Sequence, residues 1–108
     1  MELRGILIHF DAIRKGIEDG AVEYKAPNIR ARKSPKEIAN RFYQIYKDFI
    51  NDAKQILNSE YINDLYMMAI GVMNFLLYYS VKELIKPTAY LFAYVVQLES
   101  EQVRIEFE

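Results

Sequence analysis

The sequence predicts an all-α fold, an irregular three- to four-helix bundle that forms a single domain over residues 1–108. Apolar residues recur at helical steps of three and four over 3–19 and 35–58. Residues 65–81 contain no charged side chain and place apolar groups on every side of a helix, which is typical of a helix surrounded by others. We therefore expect a central apolar helix over 60–85.

The first predicted helix spans residues 3–19. Its apolar stripe consists of Leu3, Ile6, Phe10, Ile13 and Ile17. A short strand with Ile6, Ile8 and Phe10 on one face is the alternative, but the stripe continues well beyond the usual length of a strand. Gly20 then follows as the expected C-cap.

The second predicted helix, over 35–58, has the clearest start in the chain. Ser34 suits the N-cap, Pro35 suits the first helical position, and Glu37 can close a capping box. At about 100° per residue, the predicted core face is formed by Ile38, Phe42, Ile45, Phe49, Ala53 and Ile56. The opposite face carries Lys36, Tyr43, Lys47 and Lys54.

The third predicted helix spans residues 60–85. Asn74 lies inside its apolar stretch, where a buried amide must find partners or cost on the order of 1–3 kcal/mol. The helix either continues to Ile85 or restarts in a capped turn at Ser80. In both cases we expect the Lys-Pro pair at 86–87 to end it.

Two segments at the C-terminal end combine helix and strand signals. Residues 87–99 include β-branched and aromatic residues that favour a strand, but the neighbouring long helices favour a fourth helix. The tail 101–108 alternates apolar and polar residues from Val103 onward, which is a strand pattern. It could pair with residues 22–24 as a two-stranded ribbon, or with a second chain.

Residue types that catalysis and metal binding need are scarce. The chain has no cysteine, which excludes disulfides and thiolate metal sites and is compatible with a reducing cytoplasm. The one histidine, His9, has no Glu-x-x-His partner pattern, and no glycine-rich phosphate loop occurs. We therefore expect a non-enzyme without metal or cofactor. Because no basic leader and apolar run begin the chain, we expect a cytoplasmic protein.

A membrane-spanning helix is the alternative for the uncharged segment. Residues 65–81 run for 17 residues without charge, and a spanning helix needs about 17–25 apolar residues. Asn74 and several tyrosines argue against it. The following uncharged stretch, residues 87–98, has only 12 residues and is too short to return. We therefore favour a core helix.

Basic residues concentrate in one part of the sequence. Residues 25–54 hold eight basic and three acidic side chains, whereas 1–24 hold three and five, and 55–108 hold three and seven. A basic loop over 21–34 begins this segment. Such a stripe gains affinity for phosphates by counterion release, and a tyrosine adds a base-stacking surface. The candidate nucleic-acid-binding residues are Lys25, Arg30, Arg32, Lys33, Lys36, Arg41, Tyr43, Lys47 and Lys54.

The apolar content points to association with other chains. A hydrophobic fraction of 52%, with nine tyrosines and six phenylalanines, is high for a short chain and predicts apolar surface left over after folding. We therefore expect a non-catalytic helical subunit of a larger assembly that contacts nucleic-acid backbone through its basic loop and helix face. The alternative is a self-associating structural or protein-interaction module, a homo-oligomer without a nucleic-acid role.

Overall fold

The described part of the chain folds into helices that pack against each other. The computed structural model describes residues 2–26, 33–50 and 58–107. Within these ranges the α-helices are α1 (Leu3–Glu18), α2 (Pro35–Tyr46), α3 (Ser59–Tyr79) and α4 (Ile85–Phe107), and 3₁₀ turns cover Lys47–Phe49 and Lys82–Leu84. No strand occurs in the described residues. The predicted all-α helical bundle is confirmed.

The helices share a hydrophobic core with Phe42 of α2 near its centre. The Phe42 ring stacks on Phe75 of α3 with ring centroids 5.0 Å apart, and meets Phe10 of α1 edge-on at 5.5 Å. Leu91 and Val95 of α4 are buried in the same core. The molecule is elongated, with principal dimensions of 54 × 23 × 20 Å.

The predicted boundaries around the first loop are confirmed. α1 ends at Glu18, one residue before the predicted end, and Gly20 takes a φ of 78°, which glycine adopts without steric cost. At the start of α2, the backbone N–H of Glu37 donates to the Ser34 hydroxyl oxygen at 3.2 Å. The side-chain cap and the proline after it therefore begin this helix as the sequence indicates.

The second helix is shorter than predicted. α2 ends at Tyr46 instead of residue 58, and the 3₁₀ turn over Lys47–Phe49 follows. Tyr46 is buried and its hydroxyl donates to Asp11 Oδ1 at 3.2 Å, whereas Ile45 is only half-buried. Of the predicted core face, Ile38 and Phe42 are buried, and Ile45 and Phe49 pack half-buried on the core. The buried Tyr46 adds a contact with α1 that the predicted stripe does not include. The later predicted core positions, Ala53 and Ile56, lie outside the described residues.

The boundary between the third and fourth helices also differs from the prediction. α3 ends at Tyr79 because Ser80 takes the left-handed conformation, with φ 52° and ψ 43°. α4 begins at Ile85, so a new helix starts after the break and α3 does not continue. The prediction that Pro87 ends a helix is wrong. Pro87 lies in the first turn of α4, where a backbone N–H would have no acceptor within the helix, so a proline is tolerated.

The strand predicted for the tail 101–108 is wrong. α4 continues to Phe107, because a helix pairs its own backbone groups whereas a strand needs a neighbour. The segment proposed to pair with the tail is engaged elsewhere. Tyr24 packs half-buried on the core, and the Lys25 backbone N–H donates to the Tyr79 carbonyl oxygen at 2.7 Å.

α3 is not surrounded on every side, which corrects the prediction for the central helix. Its inner side is buried against the core. On its outer side Met67 and Leu77 are 61% and 69% exposed. Asn74 also faces solvent, so the predicted cost of a buried amide does not arise. The apolar residues that suggested an interior helix instead form a surface.

Candidate interaction surface

The predicted nucleic-acid-binding residues divide between two sides of α2. Lys36 and Tyr43 line a groove between α1 and α2, whereas Arg41 lines a groove between α2 and α3. At about 100° per residue, Arg41 lies roughly 140° around the helix from Lys36. Lys25 and Lys47 are exposed, and Lys33 is half-buried. Arg30, Arg32 and Lys54 lie outside the described residues.

Two of the predicted residues meet at the C-terminal end of α3. Arg41 Nη1 donates to the Tyr79 hydroxyl oxygen at 3.4 Å, and Lys25 is held by its backbone bond to the Tyr79 carbonyl. Tyr78, beside them, packs edge-on against Tyr79 with ring centroids 4.9 Å apart. This end of α3 therefore combines the Arg41 guanidinium and the backbone of the exposed Lys25 with an exposed aromatic ring.

The groove between α1 and α2 is of mixed charge. Arg14 Nε donates to Asp11 Oδ1 at 2.9 Å, and the hydrogen bond to Asp11 raises the pKa of Arg14. The Arg14 guanidinium also lies 5.4 Å from the centre of the Tyr43 ring, a cation–π contact that occupies one face of this predicted stacking residue. Glu18 and Glu37 line the same groove. These carboxylates oppose phosphate binding there.

The buried hydroxyl of Tyr46 makes stability sensitive to alkaline pH. Burial, followed by the negative charge of Asp11, raises the pKa of Tyr46 far above its ordinary value of 10.0. The neutral form is thus favoured in the folded state, while the unfolded chain ionises near pH 10. The stability that the neutral, buried Tyr46 contributes to the folded state is therefore present below pH ~10 and is lost as the pH rises above that value.

We expect Tyr46→Phe to weaken this alkaline loss of stability. The variant also loses the hydrogen bond to Asp11, so its free energy of unfolding near neutral pH falls by about 0.5–1.5 kcal/mol. Urea unfolding followed by circular dichroism, near neutral pH and above pH ~10, measures both effects. Tyr90→Phe, at an exposed position of α4, is the matched control. Equal alkaline slopes for wild type and Tyr46→Phe would contradict the assignment.

An uncharged stripe runs along the outer side of α3. Its four positions, Met67, Ile70, Asn74 and Leu77, follow steps of three, four and three residues, the spacing of a coiled-coil interface. We call these four residues the α3 seam. Ile70 is 42% exposed, and every seam residue faces solvent. The α3 seam is thus a helix face that has no covering element within the described part of the chain.

Further apolar residues widen the α3 seam. Met73 and Tyr78 flank it and are also exposed. Contiguous exposed apolar surface of this kind is characteristic of interaction sites. Scattered single residues, such as Ile8 on α1, are ordinary on protein surfaces.

The groove beside the α3 seam has opposite charges at its two ends. Asp48 and Asp64 line the end near the start of α3, and Arg41 lines the other end. Ile45 and Gly71 form the floor shared by both halves. A β-carbon at Gly71 would lie 3.1 Å from Ile45 Cγ2, so this glycine allows α2 and α3 to approach closely.

Sequence reasoning missed this surface because it interpreted the uncharged run as interior. The position of Asn74 within the run was the available signal, since a lone amide suits a solvent-exposed face better than a core. Sequence reasoning also missed Arg14 and Asp11, whose contacts give the groove between α1 and α2 its mixed charge.

Other classes of site find little support in the described residues. Residues 2–26, 33–50 and 58–107 contain no group of three or more side chains suited to hold a metal ion, and His9 is exposed. No helix within these ranges is long and apolar enough to cross a membrane. Comparison of the chain with models of protein families, with curated proteins and with solved structures finds no match.

Proposed function

We propose that this chain is a non-catalytic helical module that self-associates through the α3 seam. The observation that supports this proposal is the exposure of Met67, Ile70 and Leu77 on a helix without charge between residues 65 and 81. Burying apolar surface contributes about 25 cal/mol per Å². A second helix laid along the α3 seam gains this free energy from several side chains at once.

A second copy of the chain has the properties that the α3 seam requires of a partner. It offers an uncharged helix face of the same spacing, and its groove carries Asp64 at one end and Arg41 at the other. A surface that is apolar in the middle and oppositely charged at its ends can complement itself, as the interface of a symmetric homodimer must.

The proposal predicts a dimer that a single charge disrupts. Leu77→Glu places a carboxylate within the buried surface on both copies, at a desolvation cost that association cannot recover. We expect wild type to sediment as a dimer and Leu77→Glu as a monomer in equilibrium ultracentrifugation. Because Leu77 is exposed in the single chain, the variant keeps its helical circular dichroism.

Ile8→Glu is the matched control for this experiment. It makes the same kind of change at an apolar residue that is 63% exposed but lies on α1, away from the α3 seam. We expect it to remain a dimer. A wild type that is monomeric at all concentrations, or an Ile8→Glu variant that dissociates as readily as Leu77→Glu, rejects the proposal.

Contact with nucleic-acid backbone is the second candidate function. It is favoured by the pairing of Lys25 and Arg41 with the exposed ring of Tyr78 at one end of α3. A cation binds a phosphate there while the ring stacks on a base, as in proteins that bind single strands. Lys36 and Lys47 add exposed positive charge on the other side of α2.

Labelled single- and double-stranded oligonucleotides test this second function. We expect binding that weakens steeply between low and high salt, since it depends on released counterions. Lys25→Glu combined with Arg41→Glu reduces it, whereas Lys86→Glu, which changes an exposed lysine of α4, leaves it unchanged. Absence of binding at low salt rejects this function.

A further inference from the structure

The four positions of the α3 seam are spaced symmetrically about Val72. Met67 and Leu77 each lie five residues from Val72, and Ile70 and Asn74 each lie two residues from it. We propose that two copies pair antiparallel, about a two-fold axis at the level of Val72. Met67 then packs against Leu77 of the second copy, and Ile70 against Asn74 of the second copy. This inference rests on the proposed function and specifies its geometry.

The charges at the ends of the groove select this orientation. Asp64 and Ser80 are equally far from Val72 along α3, so the antiparallel arrangement brings Asp64 to the level of Ser80 of the second copy. Arg41 and Lys25 contact Tyr79, the residue before Ser80. Opposite charges therefore meet at both ends of the interface, and each such pair favours association modestly.

The parallel alternative brings like charges together. It would place Asp48 and Asp64 of one copy at the same level as Asp48 and Asp64 of the other, and the two Arg41 residues at one level, so no opposite charges meet at either end. Its one advantage is that the two Asn74 amides would pair with each other, as single polar residues do in parallel coiled coils. The helix dipoles add to the antiparallel preference, because the start of one α3 then lies beside the end of the other.

Single cysteines distinguish the two orientations, because the chain contains none. The variants are Met67→Cys and Leu77→Cys, both at exposed positions, and the two proteins are oxidised separately and after mixing. In an antiparallel pair, the two copies of either position are separated by about 15 Å along the helices. A disulfide needs α-carbons within about 7 Å. Only the mixture should then give a crosslinked dimer.

The outcomes separate the inference from the proposed function. Crosslinks in the mixture, with none in either separate sample, support the antiparallel pair. A dimer in which Met67→Cys or Leu77→Cys crosslinks to itself overturns the orientation but leaves the self-association of the α3 seam standing. A monomer by sedimentation, or a dimer without crosslinks in any sample, overturns both. Ile8→Cys, on α1, is the control for random collisions and should not crosslink.

Discussion

Replacing Phe42 with alanine is expected to lower the free energy of unfolding by about 3–5 kcal/mol. The ring is fully buried and contacts aromatic rings on two other helices, Phe10 of α1 and Phe75 of α3. Its removal leaves a cavity where three helices meet, and rigid neighbouring rings cannot collapse to fill it. This loss is a large fraction of the stability of a small domain.

Urea unfolding at one fixed protein concentration measures this effect. The fixed concentration is needed because dimer formation would itself add to stability. Gln44→Ala, on the exposed side of the same helix, is the control and should change the free energy of unfolding by less than about 0.5 kcal/mol. A Phe42→Ala variant as stable as this control would contradict the position of Phe42 at the centre of the core.

Replacing Thr88 with valine is expected to raise the free energy of unfolding by about 1–2 kcal/mol. Thr88 is buried in the first turns of α4, and its hydroxyl oxygen has no hydrogen-bond partner within the described residues. Valine has nearly the same shape but no polar atom to desolvate. The substitution therefore removes a cost of folding while it preserves the packing.

Thr88→Ser is the informative companion variant. It keeps the hydroxyl and removes the methyl group, so it should destabilise the protein by about 1 kcal/mol through lost apolar burial. The midpoint of thermal unfolding for the three proteins should follow the order valine, threonine, serine. If valine unfolds below wild type, the hydroxyl has a partner in solution and our interpretation of this site is wrong.

The sequence predicts the fold class and the local signals better than it predicts helix ends. The Ser34 hydroxyl accepts from the backbone N–H of Glu37, and Pro35 occupies the first helical position, so these local signals mark the start of α2. At the end of α2, Tyr46 contacts Asp11, 35 residues away in sequence. Ser80 ends α3 in the left-handed conformation although it is not a glycine, the residue that usually marks such an end. Neither feature leaves a signal in local periodicity.

Burial was the hardest property to predict from the uncharged segment. The composition correctly indicates apolar surface beyond what the core needs, but a run such as residues 65–81 has the same pattern whether its outer side meets a sister helix or solvent. The basic residues show that nearness in sequence does not predict a shared surface. Arg41 and Lys36 are near in sequence, yet they lie on different sides of α2. Lys36 lines the groove between α1 and α2, and Arg41 lines the groove between α2 and α3.

The elongation of the molecule affects how its mass can be measured. Its radius of gyration is 15.1 Å, whereas a compact domain of this length has about 13 Å. A rod experiences more translational friction than a sphere of equal mass, so the single chain should elute early from a gel-filtration column calibrated with globular standards. Early elution alone would therefore imitate a dimer. Equilibrium sedimentation, in which friction has no influence on the final gradient, gives the assembly state directly.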